Sequence, residues 1–189
     1  MLDYFLDQSY ENLNYSIEDL NFKEFEACEF VNCDFTKCSF TAVTFIDCTF
    51  RTCNLNGSKI NHVALRTVTF DNCKINDVNF SMCDKLIFEI HFKNTILDFS
   101  KFYALKMKGT TFTNCSLIAV DFMATDLTDV SFENCDLYRA EFDQAVANKA
   151  NFSTSKNYTI DPKRTKLKKA LFSLQYLKGL LFTHDIIVE

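Results

Sequence analysis

An all-β solenoid, coiled around four sides with about 20 residues per coil and closed at its C-terminal end by a short helix, is the fold this sequence predicts. Three observations predict it. From Phe25 to Phe80 every fifth residue is large and apolar: Phe25, Phe30, Phe35, Phe40, Phe45, Phe50, Leu55, Ile60, Leu65, Phe70, Ile75 and Phe80. Two positions before each of them from Phe30 onward stands a small or slender residue, as in Cys28, Cys33, Val43, Ser58 and Val68. A longer marker, Asn32-Cys33, Thr52-Cys53, Asn72-Cys73, Asn114-Cys115 and Asn134-Cys135, recurs once per four units apart from one interval.

A helix gathers apolar residues every 3.6 positions and a strand every 2, so a period of five fits neither element alone. The chain must turn once per five-residue unit, and four units complete a coil. Successive coils then stack at about the strand spacing of 4.8 Å, which places like residues over one another. Phe30, Phe50, Phe70, Phe92, Phe112, Phe132 and Phe152 form one such ladder, and Phe35, Leu55, Ile75, Leu97, Leu117 and Leu137 form the next.

Taken in order, residues 1–22 keep the spacing loosely through Tyr10, Tyr15 and Leu20, and are expected to be an irregular N-terminal cap. They carry five acids (Asp3, Asp7, Glu11, Glu18, Asp19) and no base. Residues 23–157 form the repeat body. Within it the period slips by two residues in SMCDKLIFEIH (81–91), resuming at Phe92, so a bulged corner with Lys85 turned outward or at the bulge is expected there. Residues 158–189 form a C-terminal cap. After Pro162 one unit returns at Phe172, and Ser173 is placed to N-cap a short helix, LQYLKGLL. Leu174, Leu177, Leu180 and Leu181 share one stripe of that helix, and Ile186-Ile187-Val188 adds a further apolar segment. A helix too short to stand alone yet still apolar points to a homodimer contact through Leu174, Leu177, Leu180, Leu181, Ile186 and Ile187.

Composition excludes several functions. The nine cysteines invite a disulfide framework or a metal site, but all fall on the inward position of the repeat, where Val, Ser, Thr and Ala substitute for them. They are expected to be buried, reduced, space-filling thiols, with no metal and no cofactor bound. His62, His91 and His184 are scattered, and no Gly-rich phosphate loop, HExxH or GxSxG is present, so the chain is expected not to be an enzyme. The N-terminus MLDYFLDQS has neither the basic region nor the apolar run of a signal peptide or membrane span, which leaves the cytoplasm as the expected location and no membrane contact.

Units such as CDFTK (33–37), VDFMA (120–124), CDLYR (135–139) and AEFDQ (140–144) resemble the pentapeptide repeat family, whose unit is written A(D/N)LXX. The resemblance spans roughly residues 23–154. It implies a right-handed quadrilateral β-helix; the handedness comes from the family and not from the spacing. The length, the Phe- and Cys-rich repeat, the interrupted middle coil and the terminus NYTIDPKRTKLKKALFSL resemble the Qnr- and McbG-like subgroup of quinolone-resistance and microcin-immunity proteins. That likeness implies a non-enzymatic protector of DNA gyrase or topoisomerase IV against quinolones or a toxin, acting as a mimic of DNA, and a homodimer formed through the C-terminal region.

The charge supports mimicry only in part. The formal net charge is −5, which favours a protein partner over direct nucleic-acid binding. Residues 1–155 hold 22 acids and 13 bases, and the remainder 3 acids and 7 bases. One side, built from KEFEA, VTFID, VALRT, CDKLI, LKMKG, TDLTD and AVANK, carries six of each sign, so no acidic stripe emerges. A general protein-binding scaffold is therefore the alternative reading. Stacking the coils places Phe99, Ile118 and Tyr138 in outward slots of one side and Tyr103 and Met123 on its neighbour, an apolar patch of the kind that marks contacts.

Overall fold

The computed structural model describes residues 3–15, 20–182 and 186. Eleven short strands appear among them: β1 (Asp3–Leu6), β2 (Ser9–Glu11), β3 (Lys23–Glu26), β4 (Glu29–Val31), β5 (Thr44–Ile46), β6 (Thr49–Arg51), β7 (Ala64–Arg66), β8 (Val68–Asp71), β9 (Ile90–Lys93), β10 (Thr111–Thr113) and β11 (Ser131–Glu133). All pair in parallel, in two sheets of order β1-β3-β5-β7 and β11-β10-β9-β8-β6-β4-β2. Parallel pairing of strands this short without crossover helices requires a coil, the first four turns adding one strand to each sheet and the later ones a strand to the larger sheet alone. The result is a parallel β-solenoid of about 20 residues per coil.

The two sheets form the first and second sides. Isolated parallel bridges continue the other two: Asp34↔Asn54↔Lys74↔Ile96↔Ser116↔Asp136 on the third, and Ser39↔Lys59 with Asn79↔Lys101↔Asp121↔Glu141 on the fourth. Partners are separated by one regular coil throughout, except across the slip. There Phe70 pairs with Phe92 and Lys74 with Ile96, a step longer by the two inserted residues.

The predicted ladders are present as ring stacks. Phe30 and Phe50 lie 4.8 Å apart with planes at 9°, Phe80 and Phe102 4.7 Å apart at 10°, and Phe112 and Phe132 5.0 Å apart at 7°. Between sides the rings meet edge to face, as Phe25 and Phe30 do on adjacent sides at 74° and Phe92 and Phe102 on opposite sides at 76°. Burying each ring contributes roughly 2 to 3 kcal/mol before entropy is subtracted. The first coil joins the same stack: Phe5 lies on Phe25, Tyr10 on Phe30 and Tyr15 on Phe35, at 5.2, 4.9 and 4.8 Å. Its strands β1 and β2 hold the regular register against β3 and β4.

The corners explain the Asn-Cys marker. The second residue after most inward centres sits at positive φ, between 51° and 64° at non-glycine corners such as Asn32, Ala42 and Phe99. Asn tolerates this left-handed region better than most residues. At the corner after the second side, Asn12, Asn32, Asn72, Asn94, Asn114 and Asn134 all adopt it. Their amides bond coil to coil: Asn32 Nδ2 donates to Asn12 Oδ1 (2.7 Å), Asn114 to Asn94 (3.1 Å) and Asn134 to Asn114 (3.2 Å).

All nine cysteines are buried and reduced. They do more than fill space. The Sγ of Cys48 donates to the Phe25 carbonyl (3.3 Å), Cys53 to Phe30 (3.2 Å) and Cys73 to Phe50 (3.3 Å), each 23 residues back. Hydroxyls at the same inward slot do likewise: Thr125 bonds Phe102 O (2.8 Å) and Ser155 bonds Phe132 O (2.7 Å). The slot thus takes a small side chain, and these thiols and hydroxyls in it donate to the coil beneath. Burial pushes the Cys48 thiol up to about 12 and raises Cys83 as well, so these thiols stay protonated at neutral pH.

Candidate protein-binding surface

The outward residues predicted to form a patch are brought together by the coil. Phe99 N donates to Ile118 O (2.9 Å) and Ala119 N to Tyr138 O (2.8 Å), which stacks Phe99, Ile118 and Tyr138 up the third side. On the fourth side Ala104 N donates to Met123 O (3.0 Å), setting the Tyr103-Ala104 corner beside Met123. Carboxylates pin the backbone: Asp98 Oδ1 accepts from Ser116 Oγ and from Ile118 N, Asp121 Oδ1 from Met123 N, and Asp136 Oδ1 from Tyr138 N. Ile118 and Met123 are half-buried, whereas Phe99 is 59% exposed, Tyr103 50% and Tyr138 49%.

Phe99 is the least expected member. It occupies a left-handed corner at φ 64°, a conformation that costs a bulky residue of order 1 kcal/mol, and it exposes an aromatic ring. Neither local backbone preference nor burial favours Phe at that corner. Arg139 lies over the Tyr138 ring at 5.3 Å, a cation–π contact at the patch edge.

Tyr138 also lines a groove of about 640 Å³ with Tyr158, Tyr176, Leu181, Phe182 and Ile186. The patch therefore runs into the C-terminal segment. That segment contains a 3-10 helix, Leu174–Leu180, and its inward face differs from the expected leucine stripe. Tyr176 and Leu180 pack on the core and Gly179 abuts Tyr158, while Leu174 is 91% exposed. In a 3-10 helix residues three apart share a row, so Tyr176 and Gly179 form the row against the coil and Leu174 and Leu177 lie on the row beside it. Leu177 and Ile186 are exposed, Leu181 is half-buried, and Ile187 lies outside the described residues. Ser173 holds the N-cap position but makes no capping hydrogen bond with its side chain.

Two further exposed groups are not evident from the sequence. At the slip, Met82, Leu86 and Ile87 are exposed and Lys85 points to solvent, with Asp84 Oδ1 accepting from Leu86 N (2.8 Å). Near the C-terminus, Leu171 and Phe182 are exposed as well. The break in period marks the first group; a returning unit hides the second. Among the described residues no three His, Cys, Asp or Glu side chains are grouped to hold a metal ion, and no helix is long and apolar enough to cross a membrane.

The repeat matches known sequences. Residues 23–86 match the family described as "Pentapeptide repeat region", and residues 125–155 match "Pentapeptide repeats (8 copies)". The chain belongs to the pentapeptide repeat family. Among solved structures of pentapeptide repeat proteins it is similar to a trypsin-treated variant of QnrB1, a plasmid-mediated fluoroquinolone resistance protein, at TM-score 0.67 and 16% identity over 100% of both chains. Full-length QnrB1 is similar at TM-score 0.54 and 12% identity, over 97% of this chain and 100% of that one. At this identity the likeness is one of fold. No curated protein matches the chain by sequence.

Proposed function

We propose that this pentapeptide repeat protein is a non-enzymatic, Qnr-like protector of DNA gyrase or topoisomerase IV, shielding the enzyme from quinolones or a toxin by binding it. The observation that carries the reading is the exposed aromatic corner of Phe99, Tyr103 and Tyr138, where Phe99 presents its ring from a left-handed position that disfavours a bulky residue. The whole-length likeness in fold to QnrB1, a plasmid-mediated fluoroquinolone resistance protein, supports protection against a quinolone. An acidic end, with Asp3, Asp7, Glu11, Glu24, Glu26 and Glu29 on the first and second sides of the first coils, supplies the negative surface that DNA mimicry asks for. Within the same reading, Leu174, Leu177 and Ile186 are the contacts of a cytoplasmic homodimer.

The test is gyrase supercoiling in the presence of ciprofloxacin, with and without the protein. Dose-dependent recovery of supercoiling is expected. No recovery across a wide concentration range of folded protein would contradict the proposal.

A further inference from the structure

The small net charge conceals a large separation. Residues 1–30 hold eight acids and one base, whereas residues 156–182 hold seven bases and one acid. Phe5 and Leu167 both centre on the first side, about eight coil steps apart; at 4.8 Å per step, the acidic and basic ends stand roughly 35 to 40 Å apart. That is several screening lengths of about 10 Å at 0.1 M salt. The two ends therefore act as independent surfaces, and the net charge of −5 does not describe the basic one.

The basic end is built on fixed backbone. Lys163 sits on the Pro162–Arg164 turn, whose amides are held by Asp161: Lys163 N donates to Asp161 Oδ1 (2.8 Å) and Arg164 N to Asp161 O (3.1 Å). Lys166 N donates to Ala145 O (3.0 Å) and Lys168 N to Asn148 Oδ1 (2.9 Å), which locks the next stretch onto the coil beneath. Between turn and strand lies a groove of about 500 Å³ lined by Asn148, Pro162, Lys163, Arg164, Lys166 and Lys168. Arg164 is neutralised by Asp143 (2.6 Å), and Lys149 pairs with Asp129. Lys163, Lys166, Lys168 and Lys169 are exposed, and no carboxylate is paired with them among the described residues.

We propose that this end of the rod is a docking surface for the phosphate backbone of a nucleic acid. Lys166 and Lys168 flank the inward Leu167 and are both exposed, and Lys163 and Lys169 stand exposed on the turns beside them, so four uncompensated positive charges lie at one end of the coil, complementary to a phosphate backbone. Positive charges carried on a hydrogen-bonded backbone frame match a stiff, regularly charged polymer. A fluid lipid surface makes no such demand. The contact is to phosphates alone, so it carries no sequence preference.

The experiment is fluorescence anisotropy of a labelled duplex of about 20 base pairs, with no topoisomerase present, so that its outcome is separate from that of the protection assay. With four lysines on phosphates, log K should fall against log salt with a slope of about −3.6, a loss of about a hundredfold between 50 and 200 mM salt. Lys166→Glu/Lys168→Glu/Lys169→Glu should weaken binding at least tenfold and flatten the slope to about −1. Lys163→Glu, on the separate turn, gives an independent smaller loss should the triple variant fail to fold. Asp3→Asn/Asp7→Asn/Glu11→Gln, at the far end, should leave duplex binding unchanged. No binding at about 50 mM salt, or binding undiminished in both lysine variants, would overturn the proposal. Lysine-dependent binding to phosphatidylserine vesicles with none to the duplex would overturn it in favour of a membrane surface.

Discussion

Phe70 lies in register with Phe92, with ring centroids 5.4 Å apart and planes at 13°, although the chain between them is longer than a regular coil by the two inserted residues. Every other neighbouring pair of centres in that sheet keeps the regular spacing of four units. The second side thus passes through the slip unbroken. The first side does not: its sheet ends at β7, because the two added residues fall between Asp84 N, which still bonds Val63 O, and Glu89 N, which bonds Leu65 O. The slip costs one sheet its continuation and leaves the Phe column intact.

It follows that deleting Leu86 and Ile87, both exposed, should leave the solenoid folded and restore a uniform period. Thermal unfolding should shift by only a few degrees, as for other surface changes away from the core. A cooperative transition lost altogether would show that the 84–89 segment is needed for the coil.

Much of this fold is legible in the sequence, and for a physical reason. A solenoid repeats one environment, so Phe30, Phe50 and Phe70 report the same slot and the period can be read without any knowledge of long-range contacts. Inward and outward assignments follow, including the corner where Phe99, Ile118 and Tyr138 meet. The exceptions lie where repetition stops. The face of Leu174–Leu180 departs from the leucine stripe because its 3-10 geometry sets Tyr176 and Gly179 in one row against the coil and leaves Leu174 in solvent. The donor role of the thiols is hidden as well, since Val43 and Val63 occupy the same slot without donating.

Alkali should destabilise the fold through those thiols. Folded Cys48 keeps its proton up to about pH 12, whereas the unfolded thiol ionises near its ordinary value of 9. Between those values unfolding releases a proton, so stability is full below about pH 9 and falls as pH rises towards 12. Unfolding midpoints measured across this range should decline, and Cys48→Val should decline less steeply than the wild type.

An internal cavity of about 20 Å³ lies where the Phe ladders give way to Leu55, Ile60 and Leu65. Ile60 stands between Phe40 and Phe80 on the fourth side. Replacing Ile60 with Phe should complete that ladder and raise stability by about 1 kcal/mol, read as a higher denaturant midpoint with an unchanged slope. A lower midpoint would mean that the void is too small to accept the ring.

Gly179 fixes the terminal segment on the coil. A Cβ there would meet Tyr158 O at 2.2 Å and its ring at 2.8 Å, and Ile160 N bonds Gly179 O at 3.0 Å. Gly179→Ala should cost about 1 to 3 kcal/mol of local docking. Amide exchange should accelerate across 174–182 while the Phe column stays protected. Uniform acceleration throughout the chain would show that the segment unfolds only with the rod.

The most direct measurement is calorimetric binding of the rod to purified DNA gyrase or topoisomerase IV, comparing wild type with Tyr103→Ser/Tyr138→Ser at matched thermal stability. The account predicts that the wild type binds and that the variant loses at least tenfold in affinity, as expected when two exposed aromatic anchors are removed from an interface. Equal binding by both, or none by the wild type to either enzyme, would contradict it.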